Sequence, residues 1–282
     1  MLLGLLLAAA QPALVAPALN DEFEGTALDS SWSRFDQAFG WPDKVKVLSV
    51  TGGVLRLEPR HSAWVRDAQA PFLFKTVTGD FDMRARLRVR GAKGEQPGGT
   101  WSLGGLMARV PNGQTAATWQ PRSQNWHFVT TGIAHERGRV VTETKGTFNS
   151  YSSLKLRPFR SGWVELRLVR VGMALFALAR GGPGEPWQVR DRWYRMSGSP
   201  VMQVGLVAYT TSDTLQPGPD EVLYDNRLAN DAPVDMIMDV DWVRFAQPVA
   251  RSGASWASEV GGTNRLTDPN LSEADILAAL GT

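Results

Sequence analysis

Asp80-Phe81-Asp82-Met83-Arg84-Ala85-Arg86-Leu87-Arg88-Val89-Arg90 alternates without interruption. Phe81, Met83, Ala85, Leu87 and Val89 fall on one side of an extended chain, and Asp82, Arg84, Arg86 and Arg88 on the other. Successive side chains of a strand point to opposite faces, so this stretch is a strand with one dry and one wet face, the signature of an antiparallel sheet. A helix of the same sequence would spread the apolar residues around its circumference.

The same period recurs on both sides. Strands are predicted at Val45–Val50, Val54–Leu57, Phe72–Val77, Leu103–Val110, Asn125–Thr131, Arg139–Lys145, Trp163–Val171, Met173–Arg180, Val201–Tyr209 and Met236–Phe245. Turn residues such as Thr51-Gly52-Gly53 and Pro111-Asn112-Gly113 punctuate the gaps. Many short strands with almost no helical periodicity make the chain all-β, a sandwich or jelly roll. Met173 to Ala179 is apolar throughout, which predicts a central strand covered on both faces, with Gly172 at the preceding reversal. Ala246 to Asn264 reads as linker. Ser272-Glu273-Ala274-Asp275 then opens a short helix that Leu271, Ile276, Leu277 and Leu280 line on one side.

Residues 1–18 are expected to be a signal peptide. Leu2 to Ala10 suits its apolar core, and the small residues around Ala16 and Ala18 suit cleavage, although no positive charge precedes the leucines. The expected organisation is therefore signal peptide 1–18, β-sandwich 19–247, and linker with terminal helix 248–282. The product is expected to be secreted or periplasmic. No later apolar run is long enough for a transmembrane helix, so the mature protein is not expected to span a membrane. Cysteine is absent, which excludes disulfides, thiolate metal sites and a cysteine nucleophile. A formal charge of +2 spread along the chain gives no basis for nucleic-acid binding.

Four segments resemble the concanavalin A-like lectin/glucanase superfamily. Asn20-Asp21-Glu22-Phe23-Glu24-Gly25 with Leu28-Asp29 and Trp32 resembles the opening of laminarinase-type glycoside hydrolases and their non-catalytic relatives. Met238-Asp239-Val240-Asp241-Trp242-Val243-Arg244-Phe245 resembles their closing strand. In between, Ala70-Pro71-Phe72-Leu73-Phe74-Lys75 with Gly79-Asp80-Phe81-Asp82 is similar to a bacterial family of such sandwiches known only as a domain of unknown function. So is Trp163-Val164-Glu165-Leu166-Arg167 with Arg170, Gly172 and Trp187, followed by Val204-Gly205-Leu206-Val207-Ala208. That family's Ser-x-Asp-Gly turn is replaced here by Gly181-Gly182-Pro183-Gly184-Glu185-Pro186. The resemblance implies a jelly-roll sandwich whose first and last strands lie side by side, with Trp32, Trp163, Trp187 and Trp242 in its core. It also implies a structural calcium near those end strands, for which Glu22 and Asp241 are the candidate ligands.

Laminarinase-type chemistry needs two carboxylates on one strand, about 5 Å apart for a retaining enzyme. Asp235, Asp239 and Asp241 have the spacing but belong to the closing strand. Glu136 and Glu143 are too far apart along the chain, and Glu165 stands alone. No catalytic residue is therefore assigned. His61, His127 and His135 have no metal-site spacing, and no Gly-x-Ser-x-Gly elbow or phosphate loop occurs.

Tryptophan is abundant, at eleven residues. Trp101, Trp119 and Trp126 fall in a polar stretch containing Gln114, Gln120, Arg122, Gln124 and Asn125. Indoles beside amides and guanidinium suit a sugar, whose apolar face stacks on the ring while its hydroxyls find polar partners. The same indoles could instead plug the ends of the sandwich. If residues 125–131 form a strand, Trp126 and His127 point to opposite faces. The candidate ligand-binding set is Trp101, Trp119, Trp126, His127, Arg109 and Glu136, and the expected partner is a glycan or polysaccharide. Two other readings stay open. One is a glycoside hydrolase or polysaccharide lyase whose unusual site draws on Arg109, His127, His135 and Glu136. The other is a cell-surface interaction domain using the Arg84, Arg86 and Arg88 face.

Overall fold

The computed structural model describes residues 19–194, 199–211, 233–250 and 265–281; the predicted signal peptide and most of the predicted linker lie outside them. Its strands are β1 (Ser33–Arg34), β2 (Val45–Thr51), β3 (Val54–Pro59), β4 (Phe72–Thr78), β5 (Phe81–Arg90), β6 (Ser102–Arg109), β7 (Trp126–Ile133), β8 (Val140–Phe148), β9 (Tyr151–Pro158), β10 (Val164–Val171), β11 (Ala174–Arg180), β12 (Gln188–Trp193), β13 (Val201–Thr210) and β14 (Ile237–Ala246). Helix α1 (Phe35–Phe39) precedes β2, and α2 (Glu273–Leu280) closes the chain.

Two seven-stranded antiparallel sheets form the sandwich. The first has the order β12-β11-β10-β5-β14-β3-β2, the second β1-β4-β13-β6-β7-β8-β9. The alternating stretch that decides the fold is β5, near the middle of the first sheet. Phe81, Met83, Ala85, Leu87 and Val89 enter the core between the sheets, where Leu73, Leu106, Val129, Val204 and Leu206 of the second sheet meet them. The chain ends do pair: Asp21 and Val243 exchange backbone hydrogen bonds of 2.9 and 2.8 Å.

Met173 to Ala179 departs from expectation in one respect. Strand β11 is penultimate in its sheet rather than central. It is nevertheless covered on both faces, with Leu175, Ala177 and Ala179 in the inter-sheet core and Phe176 and Leu178 beneath α2. Ser272 caps α2 by accepting from the Asp275 amide at 3.1 Å, and Ile276 and Leu280 are buried against the sheet with Trp187. The buried Arg167 fixes the other end of α2. It grips Asp82 with two bonds of 2.9 and 2.7 Å and donates to the Leu280 carbonyl at 2.7 Å. A cation at a helix C-terminus complements both the unpaired carbonyls and the helix dipole. Among the described residues, no helix is long and apolar enough to cross a membrane.

Candidate functional site

The face of the second sheet turned away from the core carries a second apolar layer. Phe72 and Phe74 of β4, Met107 of β6, Trp126 and Phe128 of β7, and Tyr209 of β13 all project there. Phe35, Trp41 and Trp64 cover them from outside. Trp126 is fully buried, stacked on Phe128 at 5.2 Å and edge-on to Trp64 at 5.6 Å. It therefore plugs the sandwich rather than offering a face to solvent. Trp119 packs on the margin of the same layer with its Nε1 buried.

Residues 60–71 lie across this face as a strap. Ser62 donates its amide to the Thr210 carbonyl of β13 at 2.9 Å, while Arg66 donates its amide to Ser152 Oγ of β9 at 2.7 Å. Asp67 accepts from Ser150 on the β8–β9 turn. Beneath the strap sits a polar cluster that the sequence did not reveal. Glu143 and Lys145, both on β8 and both buried, form an ion pair of 2.9 Å. Tyr209 donates its hydroxyl to Glu143 Oε2, and Lys145 Nζ donates to the Trp64 carbonyl at 2.9 Å. Burial, with the adjacent Glu143 charge, pushes the Tyr209 phenol well above its usual range. Among the described residues, Glu143 is the one carboxylate borne by a strand of this sheet.

Arg109 is also closed in. It points into the aromatic layer over the Phe35 ring at 4.9 Å. It donates to Gln124 at 3.2 and 3.1 Å, Gln203 at 2.6 Å and Asn112 at 3.1 Å. Its burial pulls its pKa down to about 10, which leaves it charged at neutral pH. Gln124, one of the amides that looked sugar-binding in sequence, thus serves a buried guanidinium. His127 takes the opposite face from Trp126, as the alternation predicts, and packs edge-on against Trp193 at 4.7 Å. Gly146 makes room for that contact, since a Cβ there would stand 2.6 Å from Trp193 Nε1 and 2.9 Å from His127 Cδ2. Burial drives His127 down to about 3, the nearby Asp191 opposing it, so the imidazole stays neutral.

Trp126, His127 and Arg109 are thus buried among protein partners, and Trp119 is half-buried. The four residues of the enzyme reading do not converge. Arg109 and His127 lie at one end of β6 and β7, and His135 and Glu136 follow the other end, beyond Ile133. Glu22 and Asp241, the candidate calcium ligands, are each engaged by an arginine. Glu22 is forked to Arg244 at 2.7 and 2.9 Å, and Asp241 is bound to Arg86 at 2.5 Å. Among the described residues, no three potential metal ligands cluster.

What remains open lies at the β7–β8 turn. A depression of about 160 Å³ is lined by Ala134, His135, Glu136, Arg139, Val141, Leu156 and Pro158. Val141, Leu156 and Pro158 make an apolar floor, while His135, Glu136 and Arg139 stand exposed around it. Glu136 and Arg139 pair at 3.0 Å. Trp101 stands beside it, its ring 6.3 Å from that of His135, and its amide bonds the Ala134 carbonyl at 2.9 Å. The Trp101 backbone is left-handed, at φ 46°, a conformation that a bulky residue adopts at a cost and that concentrates at functional sites. By contrast, the recess between α1 and the strap holds only about 10 Å³, too little for more than one water. Of the predicted ligand residues, the structure brings together Trp101 and Glu136. It adds His135 and Arg139.

No family model matches the chain, and no curated protein matches it. Among solved structures, it is similar to a functionally unknown protein from Saccharomyces cerevisiae, with TM-score 0.53 and 14% identity over 74% of this chain and 96% of that one. It is also similar to the GH43 BlXynB protein from Bacillus licheniformis, with TM-score 0.54 and 12% identity over 81% of this chain but 39% of that larger one. A pseudo beta-1,3-glucanase and immunostimulatory antigen of Mycobacterium tuberculosis matches with TM-score 0.47 and 13% identity over 81% of this chain and 97% of that chain. At such identities the first two likenesses show a shared antiparallel β-sandwich fold, and only the fold.

Proposed function

We propose that this chain is an exported carbohydrate-binding sandwich, accessory to polysaccharide metabolism, that holds a glycan in the depression beside Trp101. One observation carries the reading. An open, apolar-floored groove has an indole at its side and a carboxylate, a guanidinium and an imidazole at its rim. That combination suits a sugar ring, which needs an apolar surface beneath it and directional partners for its hydroxyls.

The placement of the carboxylates supports a reading of binding rather than hydrolysis. A retaining or inverting glycosidase of the usual kind needs two, facing each other across the bond to be cut. Among the described residues the strands of the second sheet bear Glu143 alone, and it is held under the strap by Lys145 and Tyr209. In the groove itself Glu136 is paired with Arg139. The likeness to a GH43 protein agrees with a polysaccharide-related setting, as does the resemblance of the end strands to glucanases. The proposed bacterial domain-of-unknown-function kinship and the secreted or periplasmic location belong to the same reading.

A glycan array screened with the mature protein, followed by titration of any hit against Trp101→Ala, tests the proposal. Binding that falls at least tenfold in a variant with an unchanged melting temperature supports it. Wild-type affinity in the variant, or an array without a hit, overturns it.

A further inference from the structure

The outward face of the first sheet is a second, chemically different surface. Strand β5 sends Arg84, Arg86, Arg88 and Arg90 to it, and other strands of the sheet add Arg56 on β3, Arg244 on β14 and Arg180 on β11. A bulge between Val240 and Trp242 turns Asp241 outward beside them. The carboxylates that hold this array are placed unevenly. Asp82, Asp239 and Glu165 are almost completely buried beneath the guanidinium groups, whereas the arginines keep roughly a fifth to a half of their surface exposed. Asp239 alone accepts from Arg56, Arg88 and Arg90 at 3.0, 3.0 and 2.9 Å. Burial would raise its pKa, but the bonds from Arg90 and Arg56 outweigh that and hold it below the ordinary carboxylate range.

Counting the buried Arg167, eight guanidinium groups of this face, those of Arg56, Arg84, Arg86, Arg88, Arg90, Arg167, Arg180 and Arg244, share five carboxylates among the described residues: Asp82, Asp239, Asp241, Glu22 and Glu165. A solvent-side partner therefore meets a surplus of positive charge that is already oriented. Two indoles help to fix it: Arg86 and Arg88 lie 4.9 and 4.7 Å from the Trp163 ring centre, and Arg244 lies 4.4 Å from that of Trp242. Trp163 and Trp242 are thus half-buried supports of this face, not core residues as the sequence resemblance implied. A guanidinium held through Nε still presents its outer edge, and that planar fork matches a carboxylate.

We infer that this face binds an acidic polysaccharide carrying about one carboxylate per sugar unit. The two exposed acids decide between polyanions. Asp241 and Glu22, at 32% and 43% side-chain exposure, sit among the arginines as acceptors. Hydroxyl groups between well-separated anions can donate to them. A nucleic acid, with an unbroken row of phosphates and few donors, would be repelled by both. Guanidiniums already cover a face of each indole, which takes away the stacking surface a single strand would use. The inference does not depend on the groove beside Trp101.

The test uses the full mature chain with polygalacturonate, neutral dextran and a single-stranded oligonucleotide as probes, at low and moderate salt. The expected result is polygalacturonate binding that weakens as salt rises, with no binding to dextran. The Arg86→Gln/Arg88→Gln variant should bind at least tenfold more weakly, and Trp101→Ala should bind as wild type. A parallel pair, Arg56→Gln/Arg244→Gln, alters the most exposed guanidiniums and gives the same reading should the first variant lose its melting transition. No affinity for polygalacturonate, undiminished affinity in whichever pair folds, or equal affinity for the oligonucleotide would each overturn the inference.

Discussion

Glu143 and Lys145 stand two positions apart on the same face of β8 and form an ion pair of 2.9 Å from which solvent is almost wholly excluded. The strap of residues 60–71 seals the pair; Tyr209 and Thr130 donate to Glu143 Oε2, and Lys145 donates to the Trp64 carbonyl. The strand face beneath the strap thus carries a salt bridge, with Glu143 neutralised by Lys145.

Removing one partner of a buried ion pair leaves the other charge uncompensated, which typically costs about 3–5 kcal/mol. Glu143→Gln and Lys145→Met are each expected to lose stability of that order in urea unfolding. The double variant should recover at least half of the loss, since two neutral groups need no counter-charge. Additive losses would show that the two do not act as a pair.

His127 makes the fold sensitive to acid. Its folded pKa, about 3, lies below its ordinary value of 6.5. Between those values the unfolded chain takes up a proton that the folded chain refuses, so stability from this group falls as pH drops through that window. The slope is about 1.4 kcal/mol per pH unit. Denaturant midpoints at pH 7 and pH 4.5 should differ less in His127→Leu than in wild type. Equal differences would mean that other groups carry the acid response.

Gly146→Ala should destabilise the protein by about 1–3 kcal/mol, the usual cost of overpacking. The new methyl group would collide with Trp193 and His127, and both are fixed by the inter-sheet packing around them. Thermal melting measures this directly, and an unchanged transition would show that the indole can move aside.

Arg167 joins the sandwich to α2 through Asp82 and the carbonyls of Leu280 and Gly281. Arg167→Leu is expected to raise amide exchange in residues 273–280 more than in β5 or β10. A uniform rise would indicate that the helix has no separate docking step.

Much of this was legible from the pattern of side chains, and the exceptions have physical causes. Strands β5, β10 and β13 announce themselves because one or both faces are buried and so must be apolar. Strand β9 was missed. It is a largely exposed edge strand, and Ser152, Ser153, Lys155 and Arg157 carry no apolar alternation; pairing with β8 makes it a strand. β12 likewise owes its form to β11 and to the docked helix. Trp126 was misplaced because its neighbours are polar. Gln124 proves to be buried, its amide serving Arg109, so polarity along the chain did not mean exposure. The Glu143 cluster depends on a contact between β8, β13 and the strap, which no local pattern encodes. The groove at the β7–β8 turn is partly legible: Trp101, His135 and Glu136 stand out by their chemistry, and only the fold adds Arg139.

The central claim is that the depression beside Trp101 holds a glycan. Isothermal titration of the best array ligand into wild type, Trp101→Ala and Trp126→Phe tests it most directly. The account predicts at least tenfold weaker binding for Trp101→Ala and wild-type affinity for Trp126→Phe, whose ring lies in the closed aromatic layer. Wild-type affinity in Trp101→Ala, or a loss confined to a correctly folded Trp126→Phe, would contradict it.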